Sequence, residues 1–228
     1  MNDASPFRVP AISGELVESF TGLICDGRED DADHMVEQLL AQGASPETLM
    51  LELLAPSARL MGAHWCDDTR DFMEVTLGMA RLQQLVRQFR LPATAHGQLR
   101  GHALLVPVPG EQHTFGLRVV EEHLLRAGWR VSIYMKASEA EIARLVADEI
   151  FDFVGFSLSS ERLLPTLRSA ICSLRSSSRN QNVRIAVGGV LFDGRDIAPG
   201  DIDADAIVMD AQDAVNQASE WSGLAGVE

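Results

Sequence analysis

Cysteine is scarce in this chain. Its three copies, Cys25, Cys66 and Cys172, are odd in number and far apart, with no C-x-x-C pair. That distribution excludes a disulfide scaffold and a thiolate zinc site, and it points to a reducing compartment. No apolar run approaches the ~18 residues that read as a membrane-spanning helix. The first residues, MNDASPFRVPAISGE, hold acidic and polar groups and no signal-peptide core. A soluble, cytoplasmic protein is expected. Basic residues are outnumbered as well, with 19 Lys and Arg against 33 Asp and Glu and a formal charge of -14. Such a surface repels phosphate backbones, so direct nucleic-acid binding is not expected, and no helix-turn-helix is evident. Protein partners or small ligands suit the charge better.

What is present is enough apolar material for a full core, 46% of 228 residues, in one or two domains. Two kinds of patterning divide it. After a flexible N-terminus at 1–12, residues 13–90 read as helix throughout. GELVESFTGLIC is followed by DADHMVEQLLAQG, which Asp31 can cap and Gly43 can end. SPETLMLELLAPSARLMGAHWC starts strongly with Ser45, Pro46 and Glu47, and Pro56 inside it predicts a kink or a break. In RDFMEVTLGMARLQQLVRQF, residues Phe72, Val75, Met79, Leu82, Val86 and Phe89 recur at steps of three and four, one apolar stripe of a packed helix. Four helices with short links make a bundle. LPATAHGQLRG, 91–101, reads as a linker.

From 102 to 228, strands alternate with helices. HALLVPVP, WRVSIYM, FVGFSL, NVRIAVGG and AIVMD are the strands, and Ser138 with Glu141 forms a capping box at one of the helices. Such alternation predicts a five-stranded parallel sheet, doubly wound in the Rossmann or flavodoxin manner. The fold class is therefore α plus α/β. Pro107 removes a ladder donor from a central strand, but near its end, where the loss is tolerable.

Ligands of such sheets bind at the carboxyl ends of the strands. Three turns there carry unusual residues. PGEQHTFG places Glu111, His113, Thr114 and Gly116 between a buried strand and a helix. GFSLSS supplies Ser157, Leu158 and Ser159, and VGGVLFDG supplies Gly188, Gly189 and Val190. Singly, each has a plain structural explanation, since a turn histidine is often solvated, hydroxyls cap helices and paired glycines make tight turns. Their coincidence on one edge of one sheet favours a binding crevice. The other histidines read as surface or solvated residues, His34 and His123 on helices and His96 and His102 flanking the linker. DGREDDAD, 26–33, reads as a solvated helix start, because it has no Gly and Glu at calcium-loop positions.

The set E111-Q-H113-T-F-G116, then Ser157-Leu158-Ser159, then Gly188-Gly189, resembles the cobalamin-binding domains that take their cofactor base-off and His-on. Their pattern is D-x-H-x-x-G, S-x-L and G-G, so this chain has Glu for Asp and Ser159 where leucine is usual. The resemblance implies His113 as lower axial cobalt ligand, Glu111 as its carboxylate partner, Ser157 and Ser159 on the displaced nucleotide tail, and glycines that give the tail room. It also implies a helical bundle over the corrin's upper face, with Trp65 packed on the upper ligand. Family photoreceptors carry W-x9-E-H; here those last two positions are Val75 and Thr76, so either His64 or solvent takes the histidine's place or the upper chemistry differs.

More narrowly, WCDDTRDFMEVTLGMARLQ with PGEQHTFGLRVVE resembles the AerR/PpaA group of photosynthesis regulators, which act on a DNA-binding repressor of CrtJ/PpsR type. That implies a non-enzymatic, light-responsive antirepressor carrying adenosyl-, methyl- or hydroxocobalamin. Two alternatives stand beside it: a corrinoid methyl carrier of a methyltransferase system, and a heme-binding sensor or a module with an empty pocket, since imidazole also ligates iron.

Overall fold

Ser13 opens the first helix by accepting the Leu16 N–H at 3.3 Å, and α1 runs Gly14–Cys25. The computed structural model describes residues 11–90 and 99–223, so most of the expected N-terminal tail and of the linker, His96 included, lies outside the described residues. The chain divides after Arg90 into two compact units.

In the first unit, α2 spans Glu29–Ala41. Asp31, expected as its cap, sits instead in the first turn beside Glu29 and Asp30, and pairs at 2.8 Å with Arg28, the residue at the cap position. Three carboxylates there complement the positive end of the helix dipole. Ser45 caps α3, Pro46–Leu49, accepting the Thr48 N–H at 3.1 Å. Of the kink or break expected at Pro56, the break does not occur, and the helix is locally irregular instead. A π-turn over Met50–Leu54 precedes it, and α4 continues through Ala55–Cys66. Proline offers no N–H and crowds the carbonyl four residues back, and a wider turn relieves both problems without ending the helix. Asp71 and Glu74 form a capping box, each bond 2.8 Å, at the start of α5, Phe72–Gln88.

The stripe expected on α5 is only half buried. Leu82 and Val86 lie in the core with Phe20, Ile24, Leu53, Leu54 and Met61, whereas Phe72 is 69% exposed. Gly78 and Arg81 occupy the core-facing positions instead. A Cβ at Gly78 would come within 2.6 Å of the Met61 sulfur, so the glycine sets how closely α5 approaches α4. Arg81 is buried and pairs with Asp33 and Glu29 of α2.

The second unit is the expected parallel sheet. Its strands are β1 His102–Pro107, β2 Arg130–Ile133, β3 Phe153–Ser157, β4 Arg184–Gly188 and β5 Ala206–Val208, in the order β2-β1-β3-β4-β5. All four pairings are parallel. The helices are α6 Phe115–Arg126, α7 Glu139–Asp148, α8 Leu164–Ser177 and α9 Ala211–Trp221. Side chains alternate across the sheet. Leu104, Val106 and Val154 pack in one core with Ile142 of α7 and Leu167 of α8; Ala103, Leu105 and Phe153 pack in the other with Leu124 of α6 and Ala214 of α9. Pro107 is the last residue of β1, and Val108 restores the ladder by donating to the Ser157 carbonyl at 3.0 Å.

Of two histidines expected at the surface, one is buried and the other half-buried. His123 is 3% exposed, with Nδ1 2.8 Å from the Val119 carbonyl. His102 is half-buried, its ring tilted against Phe151 with centroids 4.4 Å apart and its Nε2 2.8 Å from the Ser132 hydroxyl. Burial, with Arg130 nearby, lowers its pKa from the ordinary 6.5. His34 is exposed as expected, with Nε2 2.9 Å from Gln38. Among the described residues no helix is long and apolar enough to cross a membrane, and no cluster of His, Cys, Asp or Glu is arranged to hold a metal ion.

Candidate functional site

The strand order reverses direction between β1 and β3, which is where open α/β sheets form their binding crevice. Register brings the three turns of interest to one level, because Pro107 pairs with Ser157 and Ser157 with Gly188. After β1 the dipeptide Pro109-Gly110 makes a tight turn, closed by the Glu111 N–H on the Val108 carbonyl at 2.8 Å. Gly110 has φ +93°, the conformation that suits glycine at the third position of a type II turn. The turn folds Glu111 inward and leaves His113 outside. Their side chains are 2% and 73% exposed.

Glu111 is the centre of the site. Its Oε1 accepts the backbone N–H groups of Gln112 and His113, both at 2.8 Å, and lies 2.7 Å from His113 Nδ1. Its Oε2 accepts the Ser159 N–H at 2.7 Å and the Ser159 hydroxyl at 2.6 Å. Burial pushes the carboxyl pKa up, but the hydrogen bonds, led by the Ser159 hydroxyl, outweigh it and lower the value to about 2. An ionised carboxylate only accepts, so the proton of the 2.7 Å contact belongs to His113 Nδ1. The lone pair is then on Nε2, on an exposed ring. That is the tautomer of a metal-ligating histidine with a carboxylate behind it.

The neighbouring candidates lie on the same three turns. Thr114 is half-buried at the cap of α6 and makes no side-chain cap bond. Gly116 faces open space, with nothing within 4 Å of a Cβ placed there. Ser157 is half-buried at the end of β3, Leu158 is fully buried, and its N–H donates to the Gly188 carbonyl at 2.9 Å. At Gly188 and Gly189 the missing side chains make room for the chain itself. A Cβ would stand 2.9 Å from the Val208 carbonyl oxygen in the first case and 2.2 Å from the Leu158 carbonyl oxygen in the second. Val190 is 52% exposed at the start of the following turn. The link that sequence reasoning missed is Ser159 to Glu111. Its only signal was the paired departure from the motif, a longer acid and a serine in place of leucine.

Trp65 belongs to the helical unit. It is 51% exposed and lines an open apolar groove with Phe72, Val75, Thr76 and Met79. The upper half of the stripe on α5 therefore faces this groove and not the core, and the two W-x9-E-H positions share it with the tryptophan. His64 is half-buried on α4, and its Nδ1 has no hydrogen-bond partner among the described residues.

Comparison with known proteins adds three findings. A model of the B12 binding domain matches residues 101–218. The chain is 28% identical over 190 residues to an uncharacterized 20.5 kDa protein in the bchF-crtJ intergenic region of Rhodobacter capsulatus, covering 82% of this chain and 98% of that protein. Its fold is similar to that of the Methanosarcina barkeri monomethylamine corrinoid protein, with a TM-score of 0.73 at 14% identity over 91% of this chain and 99% of the other.

Proposed function

The chain belongs to the B12-binding domain family, and from that premise we propose that it is a cobalamin-dependent, light-responsive regulator that acts by contact with a DNA-binding repressor of CrtJ/PpsR type. The observation that carries the cofactor half is the Glu111–His113 pair, 2.7 Å apart, with the carboxylate buried and the imidazole exposed. Imidazole suits cobalt, and a carboxylate on the far nitrogen holds its tautomer. His113 would supply a nitrogen ligand to cobalt with Glu111 behind it, and the open space at Gly116 fits a ligand approaching the same turn. Thr114, Ser157 and Val190, each at least partly accessible on these turns, are the side chains offered to the nucleotide tail, whereas Leu158 is buried and the space at Gly188 and Gly189 is taken by the chain's own backbone. When bound, the cofactor supplies a photolabile metal–carbon bond. The chain's own residues orient it, with His113 as ligand and Glu111 as anchor.

The regulatory half is supported by two observations. The relative from Rhodobacter capsulatus is described by its position beside crtJ, and the charge of -14 suits contact with a regulator and not with its operator.

The test is the visible spectrum of the purified protein with adenosyl- and hydroxocobalamin, in the dark and after illumination, for the native chain and His113→Ala. Base-off, His-on bands that vanish in the variant are expected. Partner binding is then measured with a purified repressor of CrtJ/PpsR type in both light states. Cobalamin binding with no light response and no repressor affinity would favour a corrinoid methyl carrier. Binding of hemin alone would overturn the cobalamin reading.

A further inference from the structure

We propose that Ser159 is the positioning residue of the His113 site, and that Glu111 and Ser159 form a matched pair in which the longer acid reaches across the sheet's switch point to a serine on the far loop. The inference rests on the cobalamin reading but concerns a residue which that reading would otherwise give to the nucleotide tail. Glu111 stands in the loop after β1 and Ser159 in the loop after β3. The two bonds on Oε2, 2.7 Å from the N–H and 2.6 Å from the hydroxyl, tie those loops together. The same hydroxyl oxygen lies 2.9 Å from His113 Nδ1. With its proton on Glu111, it turns a lone pair toward the Nδ1–H, so the ring donates to both acceptors at once. The imidazole is thereby held by two partners from two loops.

Geometry explains why the two motif departures occur together. Oε1 is already occupied by two backbone N–H groups and the imidazole, all of them local. Only Oε2 extends across to β3. An aspartate would end about 1.5 Å short of it. A leucine at position 159 would keep the N–H and leave the second bond unmade. The longer acid makes both bonds only when a serine faces it.

Four variants test this with hydroxocobalamin and with aquocobinamide, a corrinoid without the nucleotide tail. Ser159→Ala and Ser159→Leu are expected to weaken His-on binding by about tenfold, the low end for the loss of a partner behind a metal ligand. Ser159→Thr, which restores the hydroxyl, should bind within about threefold of the native chain. Glu111→Asp, although it recreates the usual motif, should also weaken binding about tenfold. The losses must be equal for cobalamin and cobinamide. A loss confined to cobalamin would make Ser159 a tail contact and overturn the proposal.

The second readout needs no corrinoid. Imidazole 15N shifts of His113 should report one Nδ1–H tautomer in the native protein and in Ser159→Thr, and a mixture in Ser159→Ala and Glu111→Asp. Native tautomer and native affinity in those last two variants would overturn the proposal while leaving the cobalamin reading intact. If the native chain binds no corrinoid, the functional reading falls, and the tautomer measurement alone still decides the role of Ser159.

Discussion

Replacing Gly189 with alanine should damage the sheet unit far more than one added methyl ordinarily would. Two costs act together. The backbone there has φ 123° and ψ 167°, a region essentially reserved for glycine, and forcing an L-residue into it costs about 1–3 kcal/mol. The new Cβ would also stand 2.2 Å from the Leu158 carbonyl oxygen, where ordinary contact begins at 3.4 Å. That oxygen belongs to backbone and cannot swing aside, so overpacking adds about 1–3 kcal/mol. The sum, about 2–6 kcal/mol, corresponds at about 4 °C per kcal/mol to a fall of roughly 8–24 °C in Tm for a unit of this size. Gly194→Ala is the control. Its φ is +70°, but nothing lies within 4 Å of its Cβ, so it bears only the conformational cost, about 1–2 kcal/mol. Thermal melts followed by circular dichroism, with denaturant midpoints beside them, separate the two variants. Equal losses would refute the contact argument; no loss in either would refute the backbone argument too. Since the Leu158 carbonyl shares its peptide group with the Ser159 N–H, Gly189→Ala should also weaken His-on binding at temperatures where the protein remains folded.

Two further perturbations test burial directly. The folded chain holds a proton on His102 less tightly than the unfolded chain does, so stability from this site is present above pH 6.5 and is lost as the pH falls through 6.5 toward the lowered folded value. Urea midpoints at pH 7.5 and 5.5 should drop for the native chain and drop less for His102→Gln; parallel behaviour would mean that the site does not lower the His102 pKa. On α5, Phe72→Ser should change stability by no more than about 0.5 kcal/mol, the usual size for an exposed site, whereas Leu82→Ala should cost about 2–5 kcal/mol. A large loss from Phe72→Ser would mean that the groove around Trp65 is closed in solution.

Periodicity and punctuation carried most of the architecture in the sequence itself. Steps of three and four residues made the helices of 13–90 legible, and strands alternating with helices made the parallel sheet legible, because both signals are local and repeat every turn or every second residue. Local caps were readable for the same reason, as Ser138 with Glu141 shows. The three turns at the carboxyl edge were readable because a parallel sheet places them there whatever their details. Tertiary structure decided the rest. Whether Phe72 faces core or groove, whether Pro56 breaks its helix, and whether His102 and His123 are wet or dry depend on neighbours distant in sequence. The site shows this most clearly. Glu111 and Ser159 are 48 residues apart, and each fits a plain local role when read alone. The spacing of the motif sets Glu111 against the imidazole, but only the pairing of β1 with β3 brings the carboxylate and the Ser159 hydroxyl within 2.6 Å.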